Sequence, residues 1–252
     1  MDKETINQHL KSQPVTLIID GQSGSGKDTQ KQMWKKYLQE INPSRAVVDI
    51  DTGEKIRNWT PTLPTWQREK KEAIKRAGLL QSYRTSAFIW TRELYDRLRE
   101  GDEHLLIDGS PRTPDEAKLL IETLTQEFDR NPIIIHLRVS DETALSRIIK
   151  RNEKLYDLGK PVRPETETEE AIRNKLHFYH TDVIPALQSI DRKYFIVKNF
   201  GRLPEFDLQD VSISGELLPE EVFEMTLKAV AFTIWARTFT CKKEIVSSSV
   251  VV

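Results

Sequence analysis

The sequence predicts an α/β fold: a doubly wound, parallel five-stranded sheet that carries two small inserted segments. Three observations predict it. Short β-rich runs alternate with longer helical stretches along the chain. The first four runs are almost continuously apolar, as in strands covered on both faces. The first run, Val15-Thr16-Leu17-Ile18-Ile19-Asp20, leads straight into a glycine-rich loop and then a helix.

That loop is Gly21-Gln22-Ser23-Gly24-Ser25-Gly26-Lys27-Asp28-Thr29, a full match to G-x-x-x-x-G-K. Its glycines let consecutive N–H groups turn into one concavity. Lys27 adds a point charge for the outer phosphates, and the helix expected over 28–40 directs its positive dipole end at the same anion. Asp28 departs from the usual pattern by standing where such loops carry Ser or Thr, with Thr29 one residue later.

The second strand, 46–50, ends in Asp51-Thr52-Gly53-Glu54-Lys55-Ile56-Arg57, at the sheet edge where ligands sit. Thr52 can cap the helix expected over 53–58, with Arg57 one turn in. Further helices are expected over 66–77 and 84–100, and the whole stretch 51–84 interrupts the strand–helix rhythm as an insertion. The third strand, 104–108, ends in Asp108-Gly109-Ser110-Pro111-Arg112-Thr113. A strand-end aspartate beside a phosphate loop supplies a carboxylate to the water shell of Mg²⁺. Gly109 allows close backbone approach, and Arg112 is a planar fork suited to a phosphate.

In the helix over 114–128, Thr113 is the N-cap, Pro114 the first helical residue, and Glu116 either closes a capping box or points at an acceptor base. The fourth strand is 133–139. In the next helix, over 142–156, Arg147 and Arg151 share a face. A charge-dense segment, 152–175, is the second insertion. In the helix over 168–188, Ile172, Leu176 and Tyr179 have helical spacing, while Arg173 and Lys175 lie on different faces, so that only one should meet a ligand. Residues 200–209 read as a surface loop, 211–214 as the fifth strand, 219–239 as a helix and 240–252 as an irregular tail.

The chain has 252 residues, a net charge of −1 and a single cysteine, Cys241. These bounds allow a real core and exclude an internal disulfide and a cysteine-based zinc site. There is no basic bias towards nucleic acid or membrane. The polar start lacks the apolar core of a signal peptide, and no apolar run approaches the ~20 residues of a membrane span. The expectation is one cytoplasmic domain over 1–252, acting as a monomer. None of its five histidines sits in a motif block.

From about residue 15 to 187 the ordered blocks resemble the adenylate kinase branch of the nucleoside monophosphate kinases. Gly21 to Gln30 resembles that family's G-x-x-G-x-G-K-G-T-Q, and Thr52 to Arg57 its T-G-D-x-L-R. Asp108 to Thr113 resembles its D-G-F-P-R-T, Arg147 to Arg151 its R-x-x-x-R, and Arg163 with Glu169 to Leu176 its lid. The resemblance implies reversible phosphoryl transfer from Mg·ATP to a nucleoside monophosphate, AMP first among them. It makes 51–84 the monophosphate-binding insertion and 152–175 a lid, here without zinc.

By the same resemblance Gly24, Ser25, Gly26, Lys27, Asp28, Thr29, Arg147 and Arg151 hold ATP. Thr52, Arg57, Leu79, Leu80, Gln81, Gly109, Arg112, Glu116, Arg163 and Arg173 hold the monophosphate. Lys27, Arg112, Arg151, Arg163 and Lys175 stabilise the transferring group, with Asp108 on Mg²⁺ through water. The departures are Asp28, Ser110 for an aromatic, Glu165 and Thr166 for an Asp pair, Lys175 for an arginine and Glu116 for a glutamine. Two other readings stay open: a kinase of another small acceptor, and a nucleotide-binding sensor or scaffold of weak activity.

Overall fold

In a computed structural model, which describes residues 3–190 and 218–248, four strands form one parallel sheet in the order β2-β3-β1-β4. The strands are β1 (Thr16–Gly21), β2 (Val47–Asp51), β3 (His104–Asp108) and β4 (Ile133–Leu137). The fifth strand expected at 211–214 lies outside the described residues.

The helices are α1 (Lys3–Ser12), α2 (Lys27–Ile41), α3 (Thr52–Trp59), α4 (Thr65–Arg76), α5 (Tyr83–Arg97), α6 (Pro114–Glu122), α7 (Asp141–Asp157), α8 (Glu169–Phe178), α9 (Ile184–Ser189) and α10 (Pro219–Ser248). Helix α1 is not legible in the mainly polar start of the sequence. It forms by burying Ile6 and Leu10 against the sheet layer that holds Leu17, Trp34 and Val222.

Alternate residues of β1, β3 and β4 feed two cores, which explains their continuous apolar runs, whereas β2 buries Val48 and Ile50 and leaves its other face, with Asp49 and Asp51, half-buried. Leu17 and Ile19 face α1, α2 and α10 with Trp34, Leu38 and Phe223. Ile18 faces α5, α6 and α9 with Trp90, Leu120 and Leu187. Burial of each such side chain contributes about 1.5–3 kcal/mol. Helix α10 is tied down by polar contacts as well: Trp34 Nε1 donates to Thr226 Oγ1 (3.2 Å) and Gln30 Nε2 to the Pro219 carbonyl (2.8 Å).

The helix expected over 168–188 is present and holds a wide π-type turn, Tyr179–Val183, with helical backbone at Phe178, Val183 and Ile184 on either side; the wider turn lies just before Pro185, which has no N–H to donate. One expectation needs correction. Residues 240–248, expected irregular, continue α10; from Pro219 to Ser248 there is no further glycine or proline to stop the helix. Among the described residues no helix is long and apolar enough to cross a membrane.

Because all four strands run parallel, their carboxyl ends share one edge. The register places Asp51 beside Asp108 and Asp108 beside Ile19. The loop after β1 therefore rises next to two strand-end carboxylates.

Candidate active site

The loop after β1 is clamped from the β4–α7 side. Gln22 Nε2 donates to the Val139 carbonyl (2.7 Å), and Arg147 Nη1 reaches the Gly24 carbonyl (3.4 Å). Gly24 has φ 87°, and a Cβ there would come within 2.6 Å of the Ala144 carbonyl, so only glycine lets the loop lie this close to α7. Helix α2 then starts at Lys27.

Cations and carboxylates meet above this loop. One cleft, about 1020 Å³ including its open mouth, is lined by Lys27, Arg57, Lys75, Arg112, Arg163 and Lys175. Asp20, Asp28, Asp51, Asp108 and Glu165 face the same space, with Leu79, Leu80 and Gln81 along one wall. Arg112 is aimed by its own Nε, which donates to the Gly109 carbonyl (2.8 Å). Arg163 pairs with Asp28 at 3.5 Å, and Lys27 lies 3.9 Å from the same carboxylate. Burial works against the Asp28 charge, but Lys27 and Arg163 outweigh it and hold the carboxyl below its ordinary range. The extra negative charge of the loop is thus met by Arg163.

Asp28, Asp51 and Asp108 each bring an oxygen within 4.8 Å of the others. Asp108 is almost wholly buried, and its Oδ1 has no hydrogen-bond partner among the described residues. Burial pushes its pKa up to about 6. A buried, unsatisfied carboxylate oxygen beside two more carboxylates fits a hard divalent cation such as Mg²⁺. Asp20, at the end of β1, is a further buried carboxyl; burial raises it to about 7, against one backbone N–H from Gly21.

The stretch after α4 touches α8. Asn174 Nδ2 on α8 donates to the Ala77 carbonyl at the end of α4 (3.0 Å). Gly78 has φ 70° and packs so closely on the Ala171 carbonyl that a Cβ could not be accommodated. Lys175 projects from the same helix into the cleft and pairs with Glu165 at 3.3 Å. Burial pulls its ammonium down to about 8, although Glu165 works the other way.

Several expected site residues sit elsewhere. Arg173 is exposed and paired with Glu169 at 2.6 Å, so Lys175 is the cation of α8 that meets the cleft. Thr52 is buried beneath the cleft, and Asp51, not Thr52, caps α3, with Glu54 N donating to its Oδ1 (2.7 Å). Arg147 and Arg151 flank the loop without lining the cleft; one nitrogen of Arg151, Nη2, is buried without a hydrogen-bond partner.

Glu116 is the clearest correction. It is fully buried and does not line the cleft. Its carboxylate accepts from Ser110 Oγ (2.7 Å) and from the Arg112 backbone N–H (3.1 Å), while the Ser110 and Thr52 hydroxyls bond at 3.0 Å. Two departures noted separately in the sequence therefore form one pair: the Ser110 hydroxyl supplies the donor that turns Glu116 inwards. Thr113 does cap α6, accepting from Glu116 N at 3.3 Å. Lys75, Asp20 and Lys31 carry no motif signal and come to the site only through folding.

A family model described as Zeta toxin matches residues 2–194. A protein named adenylate kinase from Azobacteroides pseudotrichonymphae genomovar. CFP2 is 26% identical over 216 residues, 86% of this chain and 97% of that protein. Another of that name, from Methylorubrum extorquens (strain PA1), is 30% identical over 174 residues, 68% of this chain and 80% of that protein. With the phosphate loop, the parallel sheet and the strand-end carboxylates in place, both findings assign the chain to the P-loop kinases, in the group that holds the Zeta toxin domain and the adenylate kinases.

Proposed function

We propose that the protein is a nucleoside monophosphate kinase, transferring the γ-phosphoryl group of Mg·ATP to a monophosphate held by the 51–84 insertion. The observation that carries the reading is the convergence of Lys27 with Arg57, Arg112, Arg163 and Lys175 on one cleft. So many cations suit two phosphorylated ligands facing each other better than one nucleotide and a neutral acceptor. Lys27 lies on the donor side, at the end of the loop. Arg57, on α3, and Arg112, in the loop after β3, lie on the acceptor side. Arg163 and Lys175 come from the lid between them.

An acceptor phosphate oxygen attacks the γ-phosphorus in line while the bond to the β–γ bridging oxygen breaks and ADP leaves, and the charge on the equatorial oxygens is met by Lys27, Arg112, Arg163 and Lys175. The acceptor is already ionised, so no strong base is needed. Mg²⁺, when bound with ATP, neutralises phosphate charge at the cluster around Asp108. Lid contacts to the other insertion exclude water, which strengthens every one of these interactions.

An analogue joining two nucleosides through phosphates tests this reading by hydrogen exchange. It should protect both 152–175 and 51–84, whereas ATP alone should protect the loop and lid. Equal exchange of 51–84 with either ligand would remove that insertion from the acceptor site.

Two further outcomes follow from the site. Protonated Lys175 carries a charge that the phosphates need, and burial holds its pKa at about 8. The value of kcat/KM should therefore fall as pH rises through about 8. In Lys175→Arg, whose guanidinium stays charged, this break should vanish from the profile. A break retained unchanged in that variant would assign it to another group.

Glu116→Gln should leave the AMP/GMP preference within about twofold, because a buried carboxylate bound to Ser110 and Arg112 N reads no base. Its effect should be lower stability, by about 1–3 kcal/mol for weakening charged hydrogen bonds in the interior. A tenfold or greater change in that preference, about 1.4 kcal/mol, would place the side chain at the acceptor base after all.

A further inference from the structure

Lys31 is the least expected side chain near the cleft. It lies one turn beyond Lys27 on α2, and Lys35 follows one turn later, so the three share a helical face. That face meets a matching row of aspartates. Asp49 and Asp51 are two residues apart on β2 and share a side of the sheet, and the register sets Asp51 next to Asp108. Lys31 Nζ lies 3.4 Å from Asp49 Oδ1, 3.5 Å from Asp51 Oδ2 and 3.6 Å from Asp108 Oδ2. Its side chain is only 5% exposed and that of Asp108 only 2%. Lys35 reaches Asp49 alone, at 3.8 Å, from the rim.

The oxygens of this cluster are divided. Asp51 gives Oδ1 to the N-terminus of α3 and Oδ2 to Lys31. Asp108 gives Oδ2 to Lys31, and its Oδ1 is left without a hydrogen-bond partner among the described residues. Asp28 stands on the cleft side with an oxygen within 4.8 Å of oxygens of Asp51 and Asp108. Two cation positions thus share Asp51 and Asp108. An ammonium fills the inner one, and the outer one faces the cleft.

We propose that Lys31 is a positioning residue that acts as the fixed cation of this cluster: it fills the inner position permanently, orients Asp108 Oδ1 to the outer one and leaves the cluster one divalent ion to bind. The inference rests on the reading of Asp108 as the carboxylate beside Mg²⁺. Three carboxylates with no inner cation would repel one another in a buried setting, where loss of one partner of an ion pair is strongly destabilising. A divalent ion is then the natural substitute, so a variant without the ammonium should depend on metal for its stability, and the wild type should not.

The test uses the full chain without nucleotide, so that it is independent of the acceptor and of turnover. Thermal unfolding is followed in EDTA and in millimolar Mg²⁺ for the wild type, Lys31→Met and Lys31→Arg. The wild type should shift by no more than ~2 °C between the two conditions. Lys31→Met should melt at least ~5 °C lower in EDTA and regain half or more of that loss in Mg²⁺. Lys31→Arg, which keeps the charge, should show the small metal response of the wild type. Mn²⁺ titration followed by electron paramagnetic resonance should count one more bound ion in Lys31→Met than in the wild type.

A Lys31→Met protein whose loss is not recovered by Mg²⁺, or one with no additional Mn²⁺, overturns the proposal and leaves Lys31 as a structural ion pair. If Lys31→Met does not fold in either condition, the double variant Lys31→Met/Asp49→Asn, which removes one of the unpaired carboxylates, is measured instead. A metal response equal to that of the wild type in the double variant also overturns the proposal.

Discussion

Lys27→Met should lower kcat by ~100-fold or more and leave the protein folded. The lysine ends the phosphate loop and lines the cleft; its side chain is 19% exposed, and its ion pair with Asp28 is long, at 3.9 Å. It therefore contributes little packing, and Asp28 keeps Arg163 when the ammonium is lost. What disappears is a preorganised charge at the phosphates, and removal of one such contact costs ~10²–10³ in rate. Methionine preserves the length of the stem, so unfolding curves should overlay. Activity within tenfold of wild type in a folded variant would take Lys27 out of the transfer step.

The second large effect belongs to Arg112→Ala, with an expected loss of ~10²–10³ in kcat/KM for the acceptor. The residue is held twice: its guanidinium Nε donates to the Gly109 carbonyl at 2.8 Å, and its backbone N–H donates to the buried Glu116 at 3.1 Å. It is a rigid fork at the end of β3, between the loop and the 51–84 insertion. Arg112→Lys should recover only part of the loss, since an ammonium cannot offer two parallel donors. KM for ATP should change little in either variant, and an equal rise in both KM values would move Arg112 from the acceptor to a general phosphate role.

The parts of the molecule that are legible in the sequence are those whose signal is local. Strands β1, β3 and β4 are apolar runs because each is covered on both faces, while β2 buries only Val48 and Ile50 and turns Asp49 and Asp51 to the other side; the loop shows itself through glycine spacing. Asp108, at the end of β3, follows from its place beside the loop strand. Thr113 as a cap is equally local.

The parts that the sequence leaves open or does not show depend on what lies across the fold. Glu116 has the spacing of a capping residue and the position of a base-reading one, but its direction is set by Ser110, six residues away. Arg173 and Lys175 are both cations on a short helix. The packing of Ile172 and Leu176 against α7 turns Lys175 to the cleft and leaves Arg173 to Glu169. Lys31 reads as one lysine in a charged helix until β2 and β3 place three aspartates around it. Helix α1 has apolar residues too sparse to announce themselves, and only the sheet makes sense of Ile6 and Leu10.

The central claim is phosphoryl transfer between two phosphorylated ligands in the cleft of Lys27, Arg57, Arg112, Arg163 and Lys175. The most direct measurement is product analysis with Mg·ATP and each of AMP, GMP, CMP, UMP and dTMP. The account predicts ADP and a nucleoside diphosphate in one-to-one yield with at least one of these acceptors, and a rate that collapses in Lys27→Met. ATP bound without any diphosphate formed, or its γ-phosphoryl group found only on an acceptor that carried no phosphate, would contradict it.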